Sequence, residues 1–427
     1  MASVLPMMRS ASLVSVGTLV GQLIAFAGSL VLVRIFSPEQ MGMFTTIVAV
    51  SSFIAPIASG QLYGAIPLPL QHSSAVTIYK LAITCAAVFG GIVLIVLFGL
   101  SFATGDFSVQ DSVWLWGLPA LIISLVVYSG MNGLAVRFEQ YFGLALRGVL
   151  YPLVMTGTQI LLGLVHFGAA GLVLGMVFGH CVTALSVWLP VRRTIASDQE
   201  LGNTWKQLLR DYRHFPLVLG PAGAINGLAM QLPQIGVTIL FGLAVGGQFG
   251  MMIKILAVPV ALIGQSVGFV YAGQIAKSRR AGEKDVRLLF DRMSLLLGGV
   301  AVVFVLLSFF LAEPVFSWLL GEEWRMSGQF AAIFTLAPAM QLVASPLSQT
   351  LIVSERTFQQ LTIDGIRAGS LAMAFILLFL LQIEVFTSVF VISVVSMTGY
   401  LLLWIINRRA ARDIKPNVEE PEQKFTS

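Results

Sequence analysis

GQFGMMIKILAVPVALIGQ (247–265) is an apolar helical stretch with one charge in it, Lys254. A lysine near the centre of a bilayer costs about 2.5–3.5 kcal/mol on insertion scales, so its presence asks what surrounds it. The whole chain supplies the context. Of 427 residues, 57% are hydrophobic and 11% charged, against roughly 25% charge in soluble domains. Apolar runs of about 20 residues recur along it, each long enough to cross a hydrocarbon core of about 30 Å. The runs are continuous and do not alternate with period two, which excludes a transmembrane barrel. The chain reads as an all-α polytopic membrane protein.

Twelve spans are predicted: 10–34, 42–68, 78–102, 112–135, 142–165, 169–190, 216–242, 247–274, 289–312, 327–353, 361–382 and 386–407. The first run is too long for a signal peptide and passes straight into a second span, so no cleaved leader is expected. With both ends in the cytoplasm, cytoplasmic segments and their helix ends hold all but three of the 25 Lys and Arg residues, the exceptions being Arg34, Lys254 and Arg325. The opposite connections are short and lean acidic, as in ATGDFSVQD (103–111) and LLGEEWR (319–325). The positive-inside rule therefore fixes the orientation, with both termini expected in the cytoplasm.

The basic linker 192–215 divides an N-terminal six-helix lobe (1–191) from a C-terminal one (216–408), and 409–427 form a cytoplasmic tail. Each half starts on the cytoplasmic side, as in a parallel repeat. Arg9 precedes Gly42 by the same interval that separates Arg213 from Gly246, and MGMF (41–44) answers GGQFG (246–250). At this offset Gln22 faces Asn226. Prolines recur within spans, among them Pro56, Pro152, Pro233 and Pro346, where they remove amide donors and can bend helices.

Enzymatic chemistry is not visible. There is no P-loop pattern, the four histidines match no ligand spacing, and Cys85 and Cys181 fall inside apolar runs. The outer loops are too short for an active site, which disfavours a glycan polymerase or ligase. A carrier is expected, with no cofactor, no metal and no nucleic-acid partner. No acidic residue lies near the middle of a span. The deeper charges are basic: Lys254, Arg147 and Arg367, the last within reach of Asp364 one turn back. A basic interior suits an anionic cargo. Polar stripes accompany it: Ser15, Thr18 and Gln22 in the first span, Gln231, Gln234 and Thr238 in the seventh, Gln341, Ser345 and Ser348 in the tenth. Each can serve helix–helix hydrogen bonding, or together they can line a hydrophilic cavity. Lys254, seven residues or roughly 10 Å from the predicted outer end of its span, can bind cargo or snorkel to the headgroups. Arg147 faces the same choice toward the inside. Arg34 suits an interfacial anchor, His180 an interhelical hydrogen bond, and Trp324 the outer aromatic belt.

Five stretches carry a family likeness: LVGQLIAFAGSLVLVRIFSPEQMGMFTTIVAVSSFIAPIASGQLYGAI (19–66), HFPLVLGPAGAINGLAMQLPQIGVTILFG (214–242), the opening stretch continued through GQIAKSRRAG (273–282), GEEWRMSG (321–328) and SPLSQTLIV (345–353). They resemble the Wzx-type polysaccharide-biosynthesis flippases of the multidrug/oligosaccharidyl-lipid/polysaccharide (MOP) exporter superfamily. The resemblance implies twelve helices in two six-helix lobes around a central cavity. It also implies a polyprenyl-pyrophosphate-linked oligosaccharide as cargo, with the bilayer and other polysaccharide assembly proteins as partners. Position by position it places Lys254, Arg34, Arg137 and Arg147 toward the cargo. Exporters of drugs or of a peptidoglycan-type lipid precursor share the fold and form the alternative. A non-transporting scaffold for assembly enzymes would not need basic residues at depth.

Overall fold

The computed structural model describes residues 4–104, 109–196, 204–280, 286–353 and 357–413. The tail beyond 413 and parts of the linker and of the 103–111 and 273–282 stretches lie outside the described residues. All regular structure described is helical. The first seven helices are α1 (Val4–Ile35), α2 (Pro38–Ala58), α3 (His72–Thr104), α4 (Val109–Arg137), α5 (Tyr141–Leu164), α6 (Gly168–Ala196) and the short α7 (Trp205–Asp211). There follow α8 (Gly220–Arg280), α9 (Val286–Leu320), α10 (Arg325–Phe334), α11 (Leu336–Leu347), α12 (Gln349–Val353), α13 (Thr357–Leu380) and α14 (Val385–Asp413). Among the described residues, ten helices are long and apolar enough to cross a membrane, or eleven if one bent pair counts as a span. The protein is a multi-pass membrane protein.

The SPEQ motif shows how the sequence sets a boundary. Ser37 caps α2: its Oγ accepts from the Gln40 amide at 3.3 Å, and the Gln40 side chain accepts from the Ser37 amide at 3.2 Å. Proline at the first helical position needs no donor there, and Glu39 complements the positive helix end. The chain therefore reverses from α1 to α2 within a few residues.

The seventh and eighth predicted spans fall in one helical run, α8. Its 61 residues would reach about 90 Å if straight, three times the hydrocarbon core. It is not straight. Gly242 takes φ 87° and ψ 171°, a backbone conformation open to glycine and strained for other residues. Gln234 Nε2 donates to the Gly246 carbonyl at 3.0 Å, although twelve residues of straight helix would hold those groups roughly 18 Å apart. The run folds back on itself at Gly242.

The tenth predicted span, 327–353, also departs from a straight helix. The chain bends by 56° between Phe334 and Leu336, where the buried Thr335 Oγ1 finds no partner. Trp324 corrects another expectation. It is 0% exposed, and its indole nitrogen donates to the Val33 carbonyl at 3.1 Å. It pins the 321–325 turn to the end of α1 and belongs to no aromatic belt. Gln248, which donates to the Glu323 carbonyl at 2.5 Å, holds the same turn.

The fold comprises two compact units. One contains residues up to Met251 together with Leu319–Trp324, and the other Met252–Trp318 with Arg325 onward. In the first, α1 lies along α5 with backbones almost in contact. A side chain on Gly17 would strike the Ala145 carbonyl, and one on Gly148 would come within 2.9 Å of Gly17. Gly42 and Gly247, from the paired MGMF and GGQFG turns, meet in the same way, since neither has room for a Cβ against the other's helix. Small residues let membrane helices approach this closely. In the second unit, Tyr271, Phe290, Leu297, Leu342 and Leu347 form a buried cluster.

Candidate functional site

The close packing of α1 on α5 brings Gln22 beside Arg147. A cavity of about 290 Å³ opens there, lined by Thr18 and Gln22 of α1, Tyr128 and Asn132 of α4, and Arg147 and Tyr151 of α5. The Arg147 guanidinium carbon lies 4.1 Å from the centre of the Tyr128 ring, a cation–π contact that fixes the plane of the group. Behind it, Tyr151 stacks on His180 at 5.0 Å with rings 5° apart, and Tyr128 leans on both. The His180 Nδ1 is 3.1 Å from Ser124 Oγ, the interhelical hydrogen bond anticipated for it. Three aromatic rings thus hold the arginine in one place.

Arg147 Nη1 is buried with no acceptor, and Gln22 Oε1 is buried with no donor. Among the described residues no carboxylate pairs with this arginine. A buried polar group left unpaired costs about 1–3 kcal/mol, and more when charged. The two orphan groups are complementary to a ligand that offers an anionic oxygen to the guanidinium and a hydroxyl to the amide. A phosphate next to a sugar has that character.

Other sequence-predicted residues lie elsewhere. Arg34 Nη2 donates to the Leu319 carbonyl at 3.3 Å, so it ties the end of α1 to the end of α9. It sits twelve residues from Gln22, roughly 18 Å along α1. Arg137 donates to the Leu70 carbonyl at 2.6 Å and is outside the cavity lining. Gln234 is used structurally: besides Gly246 it bonds Thr45 Oγ1 at 3.1 Å and Thr238 Oγ1 at 3.3 Å. Thr238 in turn reaches Thr46 at 2.9 Å. That stripe ties helices together. Asn226 and Gln231 are half-buried on the same arm of α8 and line neither this cavity nor the one containing Gln341.

Lys254 is half-buried on the second arm of α8 and pairs with no acid among the described residues. That arm begins after Gly242, so twelve residues, roughly 18 Å, separate Lys254 from the turn. Arg367 is neutralised, as expected: Nη1 lies 3.2 Å from Asp364, and the guanidinium rests 4.1 Å from the Tyr400 ring centre. Among the described residues, Arg147 and Lys254 are left without a carboxylate partner.

A family model for polysaccharide biosynthesis proteins matches residues 31–329. The chain belongs to this family. Among curated proteins no sequence matches. Solved structures share the fold at low identity. The lipid II flippase MurJ in an inward closed conformation has 14% identity and a TM-score of 0.66, covering 94% of this chain and 90% of that one. A MOP superfamily transporter from Pyrococcus furiosus, described as having a binding pocket of reverse polarity that suggests a different function, has 15% identity and a TM-score of 0.60, covering 95% and 96%. An outward-facing multidrug resistance MATE transporter of the same superfamily has 14% identity and a TM-score of 0.55, covering 95% and 96%. This polysaccharide biosynthesis family member has the MOP fold, the fold of membrane transporters and flippases.

Proposed function

We propose that the protein is a flippase carrying polyprenyl-pyrophosphate-linked oligosaccharide, a polysaccharide repeat unit, from the inner to the outer leaflet by alternating access. The observation that carries the reading is Arg147: a guanidinium clamped by aromatic rings, short of one acceptor, in a cavity without a carboxylate. Diphosphate supplies the missing acceptor and charge. An exporter of cationic drugs would gain nothing from this site. A carrier of lipid II also handles a diphosphate, so the family match to polysaccharide biosynthesis is what favours a repeat unit.

Deleting the gene is expected to cause polyprenyl-linked oligosaccharide to accumulate on the cytoplasmic leaflet, with loss of a surface polysaccharide. Mass spectrometry of the lipid fraction and glycan staining of intact cells read the two effects. Unchanged surface glycan together with new sensitivity to cationic drugs would refute the assignment.

The proposed topology has twelve crossings, reached by counting the two arms of α8 separately and the bent pair as one. Its lobes comprise 1–191 and 216–408, with both termini in the cytoplasm of a bacterial inner membrane. Reporter fusions at Gly105 and Glu322 should read as extracytoplasmic, and fusions at Asn203 and Gly282 as cytoplasmic. One swapped reading among the four breaks the arrangement.

A further inference from the structure

The second unit contains a separate cavity of about 570 Å³ between the second arm of α8 and the α11–α12 segment, with Gln265, Gln341, Ser345 and Gln349 on its walls. We infer that this cavity is a binding subsite for an uncharged sugar of the cargo. The inference deepens the flippase reading and takes from it only that the cargo bears sugar.

Three features point to sugar. First, the walls carry three primary amides, and among the described residues none of these three side chains has a hydrogen-bond partner. Each amide offers two donors and an acceptor oxygen, the mixed set that hydroxyl and acetamido groups satisfy. Gln265 is exposed and Gln341 and Gln349 are half-buried, so these amides are open to a ligand, and an apolar tail packed on them would leave them without partners. Second, the lining contains no ionisable residue. A uronate or other acidic sugar would enter uncompensated, and a cationic drug would find no carboxylate.

Third, the floor is kept open. A Cβ on Gly264 or Gly268 would first meet Pro346, at 3.7 and 3.8 Å, which is ordinary contact distance. These glycines are therefore not required by helix packing, unlike Gly17 and Gly148. Glycine within a helix is less stable than alanine by roughly 0.5–1 kcal/mol, and what it provides here is width. The volume falls within the range of about 300–1,000 Å³ typical of small-molecule pockets, which suits one or two sugar rings.

The test uses the full chain in lipid nanodiscs and two soluble probes. These are N,N′-diacetylchitobiose, which is neutral, and the hyaluronan disaccharide, which carries a glucuronate. Saturation-transfer NMR should show contact with the neutral disaccharide at millimolar concentration and at least roughly tenfold weaker transfer to the acidic one. Gly264→Leu should abolish the neutral signal, while Gly264→Ala, whose methyl has room, should retain it. Gln341→Leu provides a second way of removing the signal if the leucine variant at 264 does not fold, as judged by gel filtration and melting. Absence of transfer in the natural protein, equal transfer to both probes, or a signal that survives in a folded Gly264→Leu or Gln341→Leu variant would overturn the subsite. The diphosphate reading is judged separately by farnesyl diphosphate binding to Arg147 variants, and neither experiment depends on the other.

Discussion

Arg147→Ala is expected to lower both transport and farnesyl diphosphate binding by about thirtyfold or more while the protein still inserts and accumulates. Losing one partner of a buried charged contact costs about 2–5 kcal/mol, and each 1.4 kcal/mol is a factor of ten. Attraction between guanidinium and diphosphate strengthens as the local dielectric falls, so few contacts at this depth suffice. Arg147→Lys should recover only a small part, because an ammonium can neither lie flat on Tyr128 nor present a planar fork. The competing account makes Arg147 a brace that holds α4 to α5 through Tyr128. That account predicts a lower melting temperature for Arg147→Ala. The anion-site account predicts an unchanged or higher one in the absence of ligand, since an uncompensated cation has been removed. A destabilised alanine variant that still binds farnesyl diphosphate with the natural affinity would leave Arg147 as scaffold.

Hydropathy and charge asymmetry made most of the helices legible, because lipid imposes length and composition on every crossing. The reversal within α8 was legible as well, since spans 216–242 and 247–274 meet at a glycine-rich turn, and the structure puts the break at Gly242. The 56° bend at Thr335 was not, because a proline inside a span marks a missing amide donor without fixing an angle. The amide stripes were visible as stripes, but their uses diverged. Gln234 bonds a neighbouring helix whereas Gln22 and Gln341 face cavities, and a periodic pattern gives a face without naming what that face meets. Tyr128, Asn132 and Tyr151 were missed as site residues. In an apolar run an aromatic residue reads as core. One signal was available: Tyr128 and Asn132 are four residues apart on α4, as are Arg147 and Tyr151 on α5. An arginine and a tyrosine one turn apart, opposite a second polar pair, mark a cation site better than the arginine alone. Trp324 reads from the sequence as an interfacial aromatic because tryptophan favours membrane surfaces, and only packing shows it fully buried against the end of α1.

Lys254 gives the second large effect. Lys254→Gln and Lys254→Ala are expected to lose most transport at normal protein level, and Lys254→Arg to keep a measurable part. Two observations support this. Lys254 has no acidic partner among the described residues, so its charge is free for cargo. It also lies twelve residues, roughly 18 Å along a helix, from the Gly242 turn, against seven from the start of the predicted span. It sits three residues before Ala257 and seven before Ala261, on the face of α8 that lines the amide cavity. A transport site must also release what it binds, so one flexible ammonium serves better than a rigid guanidinium cluster that would trap a diphosphate. Snorkelling makes the opposite prediction: Lys254→Leu removes an insertion cost of about 2.5–3.5 kcal/mol and should be tolerated. The deciding measurement is surface polysaccharide in deletion cells carrying the leucine variant at matched protein level. Restoration to the natural amount would mean that Lys254 is an anchor, and its absence would place the lysine on the path of the cargo.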